Sequence, residues 1–120
     1  EESFPLAINR CEECFHVQLT HRVNPALLFK NYLYVSGTSK TQMEYFEWFA
    51  NMTMERQQKY NLMKVLDIGC NDGSQLDFYK KAGVRTYGVD PAENLHTDSS
   101  KKHNVKCEYF NKNTFEKGAI

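Results

Sequence analysis

The residues best suited to chemistry lie in the stretch VLDIGCNDGSQ, residues 65–75. An apolar run reaches Asp67, and Gly69 and Gly73 follow in a polar turn. Glycines let a backbone turn sharply and approach a ligand without a Cβ in the way. In open α/β sheets, ligands bind at the carboxyl ends of the strands, where a turn leads into a helix N-terminus. The stretch therefore predicts a cofactor-binding turn.

The spacing within this turn indicates the kind of cofactor. A pyrophosphate-binding turn has the pattern G-x-G-x-x-G, whereas this one reads Asp67-x-Gly69-x-x-x-Gly73 and carries Asp72 inside the loop. Carboxylates repel a pyrophosphate and attract positive charge. The turn thus favours a ligand such as S-adenosylmethionine, which carries an amino group and a sulfonium.

A second acidic position follows at Asp90-Pro91, where the next predicted strand ends. A carboxylate at this place can accept hydrogen bonds from both hydroxyls of an unphosphorylated ribose. We therefore take Asp90 and Pro91, together with Asp67, Gly69, Asn71 and Gly73, as candidate cofactor-binding residues.

The elements that must position these residues form a regular alternation. Periodicity predicts strands at 65–68, 86–89 and 105–110 and helices at 74–82 and 92–103. Strands that alternate with helices at this pitch build a parallel sheet through crossover connections. We expect an α/β fold in which residues 62–120 form the first half of a doubly wound, Rossmann-like sheet.

A helix is predicted at 41–60, within a linker region spanning 39–61. Ser39 and Gln42 fit a capping box. Apolar residues recur at helical spacing along this segment, and such a stripe usually packs into a core rather than onto a cofactor. The stripe comprises Met43, Phe46, Ala50 and Met54, widened by Tyr45, Phe49 and Met52.

Residues 1–38 form an N-terminal segment with a candidate metal site. Cys11-x-x-Cys14 has the spacing of half a tetrahedral zinc site, and Phe15, Val17 and Leu19 alternate as in a short strand. His16 and His21 could complete the ligands, although their spacing is unusual. Two reduced cysteines without metal are an equal alternative, whereas a redox pair lacks a surrounding thioredoxin-type pattern.

Several of these stretches together resemble a known family. VLDIGCNDGS followed by GVDPAEN is similar to motifs one and two of class I S-adenosylmethionine-dependent methyltransferases. Three further stretches resemble sugar C-methyltransferases that carry an N-terminal zinc-binding domain. Half of the zinc knuckle is matched by RCEECFHVQL, and the Tyr-x-Tyr-x-Ser segment with its helix is matched by NYLYVSGTSKTQMEYF. The third strand is matched by VKCEYFN. The likeness covers nearly the whole chain.

The resemblance implies roles for individual residues. Gly69 would contact the cofactor through its backbone, Asp67 would lie near the methionine amino group, and Asp90 would bind ribose. The competing interpretation is that Asp67 only caps the loop and Gly73 only permits helix packing. The resemblance implies that the substrate is a nucleotide-linked keto-sugar. It also implies that the chain is truncated at both ends relative to the family.

Candidate catalytic residues come from the same resemblance, which places a tyrosine of this segment over the active site. Tyr32 and Tyr34 alternate along an extended stretch and should face opposite ways. A phenol can assist proton removal next to a ketone or stabilise the enolate. Tyr34, beside Ser36, is preferred to Tyr32, and the alternative is that both are core residues.

Three other potentially reactive side chains are assigned no catalytic role. Cys70 has no base near it in the sequence and is expected to be a small packed residue. His96 and His103 follow the second strand and are expected at the surface. The resemblance places the histidine and glutamate of a catalytic base beyond residue 120.

Composition limits the partners. Fifteen basic and fifteen acidic residues cancel, which disfavours nucleic acid or an anionic membrane as a partner. No apolar run is long enough to span a bilayer, and EESFPLAINR lacks the order of a signal peptide, so we expect a cytoplasmic protein that acts on a small molecule. An exposed sheet edge would favour a homo-oligomer. The rival functions are a nicotinamide-dependent oxidoreductase fragment and a zinc-stabilised interaction module.

Overall fold

A three-stranded parallel sheet forms the centre of the fold. In the computed structural model, which describes residues 3–57, 61 and 64–116, the strands β3 (Lys64–Ile68), β4 (Arg85–Val89) and β5 (Asn104–Lys106) lie in the order β3-β4-β5. The helices α3 (Ser74–Lys81) and α4 (Glu93–Lys102) connect them. The predicted alternation is confirmed, and the sheet is compatible with a Rossmann-like fold.

Most predicted boundaries differ from the observed ones by one residue, since Ala82, Ala92 and His103 are helix caps. The last strand is the exception, because it ends at Lys106 rather than at residue 110. Lys106 pairs with Val89, the final residue of β4, so the chain beyond it has no neighbouring strand in the described sheet. Residues 111–114 instead close a turn in which the Asn111 N–H donates to Thr114 Oγ1 at 2.8 Å.

The long helix α2 (Lys40–Gln57) packs against α3 and supplies part of the core. Ala50 is fully buried beside Tyr79 and Val84, and the Thr53 hydroxyl lies 2.7 Å from the Tyr79 hydroxyl. The remaining predicted length, 58–60, lies outside the described residues. The Gln42 N–H donates to Ser39 Oγ at 3.3 Å, which is one half of the predicted capping box.

The apolar stripe of α2 is only partly core. Ala50 is buried and Met43, Phe46, Phe49, Met52 and Met54 are half-buried, but Tyr45 is 49% exposed. The expectation that Tyr45 widens the buried face is therefore wrong. Its ring instead packs along the helix surface, with centroids 5.6 Å from Trp48 and 6.0 Å from Phe49.

An antiparallel hairpin and a short helix precede α2. Strands β1 (Ile8–Arg10) and β2 (Val17–Leu19) pair, and α1 (Pro25–Phe29) is capped by the Asn24 side chain, which accepts from the Ala26 N–H at 3.0 Å. Phe15 has a φ of 59° and lies in the hairpin turn, so the predicted alternating strand begins only at Val17. No helix among the described residues is long and apolar enough to cross a membrane.

The side chain of Cys70, in the turn after β3, packs against Gly88 of the neighbouring strand β4. A Cβ on Gly88 would lie 2.6 Å from Cys70 Sγ and 3.1 Å from its Cβ, so the thiol occupies the space that a side chain on β4 would need. Cys70 is 4% exposed, and the expectation of a small packed residue is confirmed.

Gly88→Ala should therefore destabilise the protein by about 1–3 kcal/mol through overpacking. In a Cys70→Ala background the sulfur is gone, and the same substitution should cost less. Urea denaturation of the two single variants and the double variant measures the coupling. Equal costs of Gly88→Ala in both backgrounds would contradict the assigned contact.

Candidate functional site

The turn between β3 and α3 has the backbone geometry expected of a ligand-binding loop. Gly69, Asn71 and Gly73 have φ angles of 83°, 52° and 80°. The Gly69 N–H donates to the Val89 carbonyl at 2.8 Å, which holds the turn at the carboxyl end of β4. A Cβ built on Gly69 meets no atom within 4 Å, so the backbone here faces open space. A ligand can approach at Gly69.

Gly73 lies in a different environment. It is buried, it precedes the first residue of α3, and a Cβ there would lie 2.8 Å from His103 Cδ2. Its positive φ and this close contact both require glycine. The geometry supports the packing interpretation, and a cofactor contact at Gly73 stays a prediction.

Asp67 and Asp90 bring negative charge together at the carboxyl edge of the sheet. Burial, and then the charge of Asp90, raises the pKa of the Asp67 carboxyl above its ordinary value. Asp67 is a half-buried residue of β3 that pairs in register with Gly88, one strand position from the end of β4. Two carboxylates so placed favour a cationic group between or beside them.

The Asp90 carboxylate has a fixed orientation. Its Oδ2 accepts from the Asn71 N–H at 2.8 Å and its Oδ1 accepts from the Ala92 N–H at 2.9 Å. A carboxylate has about four acceptor sites, so two such bonds leave capacity for ligand hydroxyls. Pro91 lies between these anchors and is half-buried.

The Asn71 side chain contacts a distant part of the chain. Its Oδ1 accepts from the Ser36 N–H and its Nδ2 donates to the Tyr34 carbonyl, both at 3.0 Å. Asp72 acts similarly, because its Oδ2 accepts from the Gly37 N–H at 2.9 Å while its Oδ1 accepts from the Ser74 N–H at 3.1 Å. Sequence reasoning missed these roles, since polar residues in a turn indicate only local hydrogen bonds.

The two tyrosines lie in the segment that these bonds hold. Tyr32 is 37% exposed and Tyr34 is 48% exposed, so neither is a core residue. Asn94, a further residue that sequence reasoning missed, accepts from the Tyr32 N–H and donates to the Tyr32 carbonyl, both at 2.9 Å. The backbone of the segment is thereby brought to the site, and a catalytic role for either ring stays a prediction.

Cys70 is chemically inert in this setting. Burial first, and then the charges of Asp67 and Asp90, raises the pKa of its thiol to about 12. The thiol is therefore protonated at neutral pH and cannot serve as a nucleophile.

The cysteine pair lies in the turn between β1 and β2. The Cys11 N–H donates to the His16 carbonyl at 2.9 Å, and the Phe15 N–H donates to the Cys11 carbonyl at 3.1 Å. Hydrogen bonds from the Cys14 and Glu13 backbone, and from the Cys14 thiol, lower the pKa of Cys11. Among the described residues no group of three potential metal ligands is present, so the turn offers two thiols and no complete site.

The expectation that His103 is a surface residue is wrong. It is 6% exposed, with Nδ1 2.8 Å from Thr86 Oγ1 and Nε2 3.2 Å from Asp77 Oδ1. Because a carboxylate only accepts, Nε2 carries the proton and Nδ1 accepts from the threonine hydroxyl. Both ring nitrogens are satisfied inside the fold, where the ring fills the space beside Gly73. His96 is half-buried rather than fully exposed.

No family model matches the sequence. Over 95 residues it is 33% identical to C-methyltransferase NovU from Streptomyces niveus. The aligned region covers 79% of this chain and 23% of that protein, so the chain spans about a quarter of its relative's length. The chain is thus similar to part of a C-methyltransferase, and its parallel sheet is compatible with a Rossmann-like fold.

The buried histidine predicts a pH dependence of stability. Burial lowers the pKa of His103 below its ordinary 6.5, with Lys80 and Lys102 acting in the same direction and Asp77 opposing them. Above 6.5 the ring is neutral in both states. As pH falls below 6.5, the unfolded chain takes up the proton first. The free energy of unfolding therefore decreases until the pH reaches the lower pKa of His103 in the folded state.

His103→Gln should cost about 1–3 kcal/mol near pH 7.5, because it disrupts hydrogen bonds in a buried site. The stability gap between the variant and the wild type should narrow as pH falls from 7.5 to 5. Thermal unfolding across this range measures it, with His16→Gln in the exposed hairpin turn as the control. A gap that stays constant with pH would contradict the assignment.

Proposed function

We propose that this chain is the cofactor-binding part of an S-adenosylmethionine-dependent methyltransferase that methylates a carbon atom of a small molecule, such as a nucleotide-linked keto-sugar. The observation that carries the proposal is the pair of carboxylates, Asp67 and Asp90, beside the open glycine turn at Gly69. The similarity to a C-methyltransferase supports the reaction class.

The residues present fit this cofactor by shape. The space over Gly69 admits a ligand against the backbone, and the left-handed conformation there would strain any other residue. The held carboxylate of Asp90, one strand away, can accept from ribose hydroxyls in a direction that the Asn71 and Ala92 amides fix.

The residues also fit it by charge. Burial and Asp90 are the two causes that raise the pKa of Asp67, and no cation within the described chain offsets them. An ammonium group near Asp67 would relieve this unfavourable charge, whereas a pyrophosphate would add to it. The electrostatics therefore favour a nucleoside that carries an ammonium group, such as S-adenosylmethionine, over a nicotinamide dinucleotide.

When bound, the cofactor supplies an electrophilic methyl group on its sulfonium. The chain's own contribution is to bind and orient: Asp67 attracts the amino group, Gly69 admits the ligand and Asp90 holds the ribose. We assign Tyr34, ahead of Tyr32, to the acceptor side, where its phenol could stabilise an enolate. The exposure of the Tyr34 ring and the anchoring of its carbonyl by Asn71 support this assignment.

Zinc and partners form a separate part of the proposal. The thiols of Cys11 and Cys14 share one turn and would supply two of the four ligands of a tetrahedral zinc site. A second copy of the chain could add to the edge of β3 or of β5, the two outer strands of the described sheet. The balanced charge disfavours nucleic acid or an anionic membrane as a partner, and the acceptor we propose is a small molecule.

Isothermal titration calorimetry with S-adenosylhomocysteine tests the cofactor assignment. The wild-type chain should bind it saturably and should not bind NAD. Asp90→Ala should weaken binding by roughly 10- to 100-fold, because hydrogen bonds to a charged acceptor are lost. Asp98→Ala, at an exposed carboxylate of α4, is the matched control and should bind normally. Equal affinities of the two variants would refute the ribose role.

The raised pKa of Asp67 predicts the pH dependence of binding. Only the ionised carboxylate attracts an ammonium group, and protonation of Asp67 begins at a higher pH than for an ordinary aspartate. S-adenosylhomocysteine affinity should therefore fall as pH is lowered towards 5. Asp67→Asn should bind more weakly at pH 7.5 and should lose less affinity on acidification. Parallel pH profiles for variant and wild type would exclude this role.

A further inference from the structure

One segment lies against the loops that follow β3 and β4, and it is extended or irregular until it enters a short 3₁₀ helix (Ser36–Thr38) at its end. We name residues 30–37 the covering segment. At its start, the Lys30 carbonyl accepts from the Glu93 N–H at 2.9 Å, and Lys30 Nζ lies 3.1 Å from Glu93 Oε1. At its end, Gly37 contacts the loop after β3. The segment therefore joins the two loops that carry the candidate cofactor residues.

Two asparagines hold the backbone of the covering segment. Asn94 pairs with both the N–H and the carbonyl of Tyr32, as a residue of a neighbouring strand would. Asn71 repeats the arrangement two residues further on, with the Tyr34 carbonyl and the Ser36 N–H. Each asparagine uses its amide as a donor and an acceptor at the same time.

Gly37 completes the attachment by close approach. A Cβ there would lie 2.5 Å from Ser74 Oγ and 2.7 Å from Asp72 Oδ2, so a larger residue would displace the carboxylate that accepts from the Gly37 N–H at 2.9 Å. The 3₁₀ helix Ser36–Thr38 thus contacts the loop that precedes α3.

Apart from the ion pair between Lys30 and Glu93, these bonds involve the backbone of the covering segment. Leu33 is 90% exposed and Tyr34 is 48% exposed. The side chains remain free to contact a ligand while the main chain is held. A segment of this kind can form one wall of a site without depending on its own apolar contacts for its position.

Asn71 also connects the covering segment to the candidate ribose carboxylate. Its backbone N–H donates to Asp90 Oδ2 at 2.8 Å while its side chain binds the backbone at Tyr34 and Ser36. A ligand that orders Asp90 should therefore order Asn71 and the covering segment with it. By linkage, a covering segment that is already held should raise the affinity for that ligand by the same factor.

We propose that Asn71 and Asn94 are positioning residues that hold the covering segment as a wall of the cofactor site, and that its order and cofactor binding are coupled. The inference rests on the proposed function for its ligand, but the anchoring is a property of the free chain. In this proposal Asn71 acts on the cofactor through its neighbours, and a direct contact with the cofactor stays a prediction.

Amide hydrogen exchange with and without S-adenosylhomocysteine tests the proposal. In the free protein, Asn94→Ala should speed exchange of the Tyr32 amide and Asn71→Ala that of the Ser36 amide, each by roughly tenfold. The ligand should slow both amides in the wild type, and each alanine variant should bind it roughly 3- to 10-fold more weakly. Asn113→Ala, at an exposed turn, is the control.

A conservative variant separates positioning from general loss of structure. Asn71→Asp keeps the acceptor for the Ser36 N–H and loses the donor to the Tyr34 carbonyl, so it should restore protection of Ser36 that Asn71→Ala lacks. Asn94 is exposed, and its replacement should leave the melting temperature close to that of the control. Asn94→Ala therefore provides a test even where Asn71→Ala does not fold.

The outcomes separate the two levels of the inference. Asparagine variants that bind S-adenosylhomocysteine as tightly as Asn113→Ala would overturn the coupling. Unchanged exchange at Tyr32 and Ser36 in the free variants would overturn the anchoring itself. Failure of the wild type to bind, with both amides protected and released by the variants, would overturn the proposed function and the coupling while supporting the anchoring.

Discussion

Two backbone N–H groups converge on the carboxylate of Asp90, one from Asn71 on the loop after β3 and one from Ala92 before α4. This side chain joins the loops that follow the adjacent strands β3 and β4, and it adds to the backbone bond from the Gly69 N–H to the Val89 carbonyl. The Asp90 N–H in turn donates to the Lys106 carbonyl at 3.0 Å, so the third strand is tied to the same residue. Asp90 therefore makes contacts at the ends of all three described strands of this sheet.

At the same edge, two neighbouring carboxylates lower the stability of the free chain, although the proposed cofactor would need them for binding. Burial of Asp67 beside a second carboxylate is unfavourable in the free chain, as the raised pKa of Asp67 records. Two neighbouring groups add little to this unfavourable charge. Cys70 stays neutral, and the Asp72 carboxylate accepts hydrogen bonds from the Gly37 and Ser74 N–H groups. In the proposed function, this unfavourable charge would be offset by the cationic group of the cofactor.

Much of the fold could be predicted because its signals are local. Apolar runs and turns in the sequence located β3, α3, β4 and α4 to within about one residue, and parallel pairing then required Asp67 and Asp90 to meet at one edge. The end of β5 was not predictable, because it is set by where β4 ends. His103 was misplaced for a similar reason, since its partners Thr86 and Asp77 lie 17 and 26 residues away.

The covering segment was the part of the site least accessible from sequence. Asparagine in a turn or at a helix start indicates local capping, yet the side-chain partners of Asn71 and Asn94 lie 35 to 62 residues away. Only the fold reveals that both amides bind main chain and that the rings of Tyr32 and Tyr34 are left out of the attachment. Because the wall is held by its backbone, changes in its side chains can alter what the site accepts without displacing it. In the proposed function, cofactor recognition would fall to the strand ends and acceptor recognition to the exposed side chains of the covering segment.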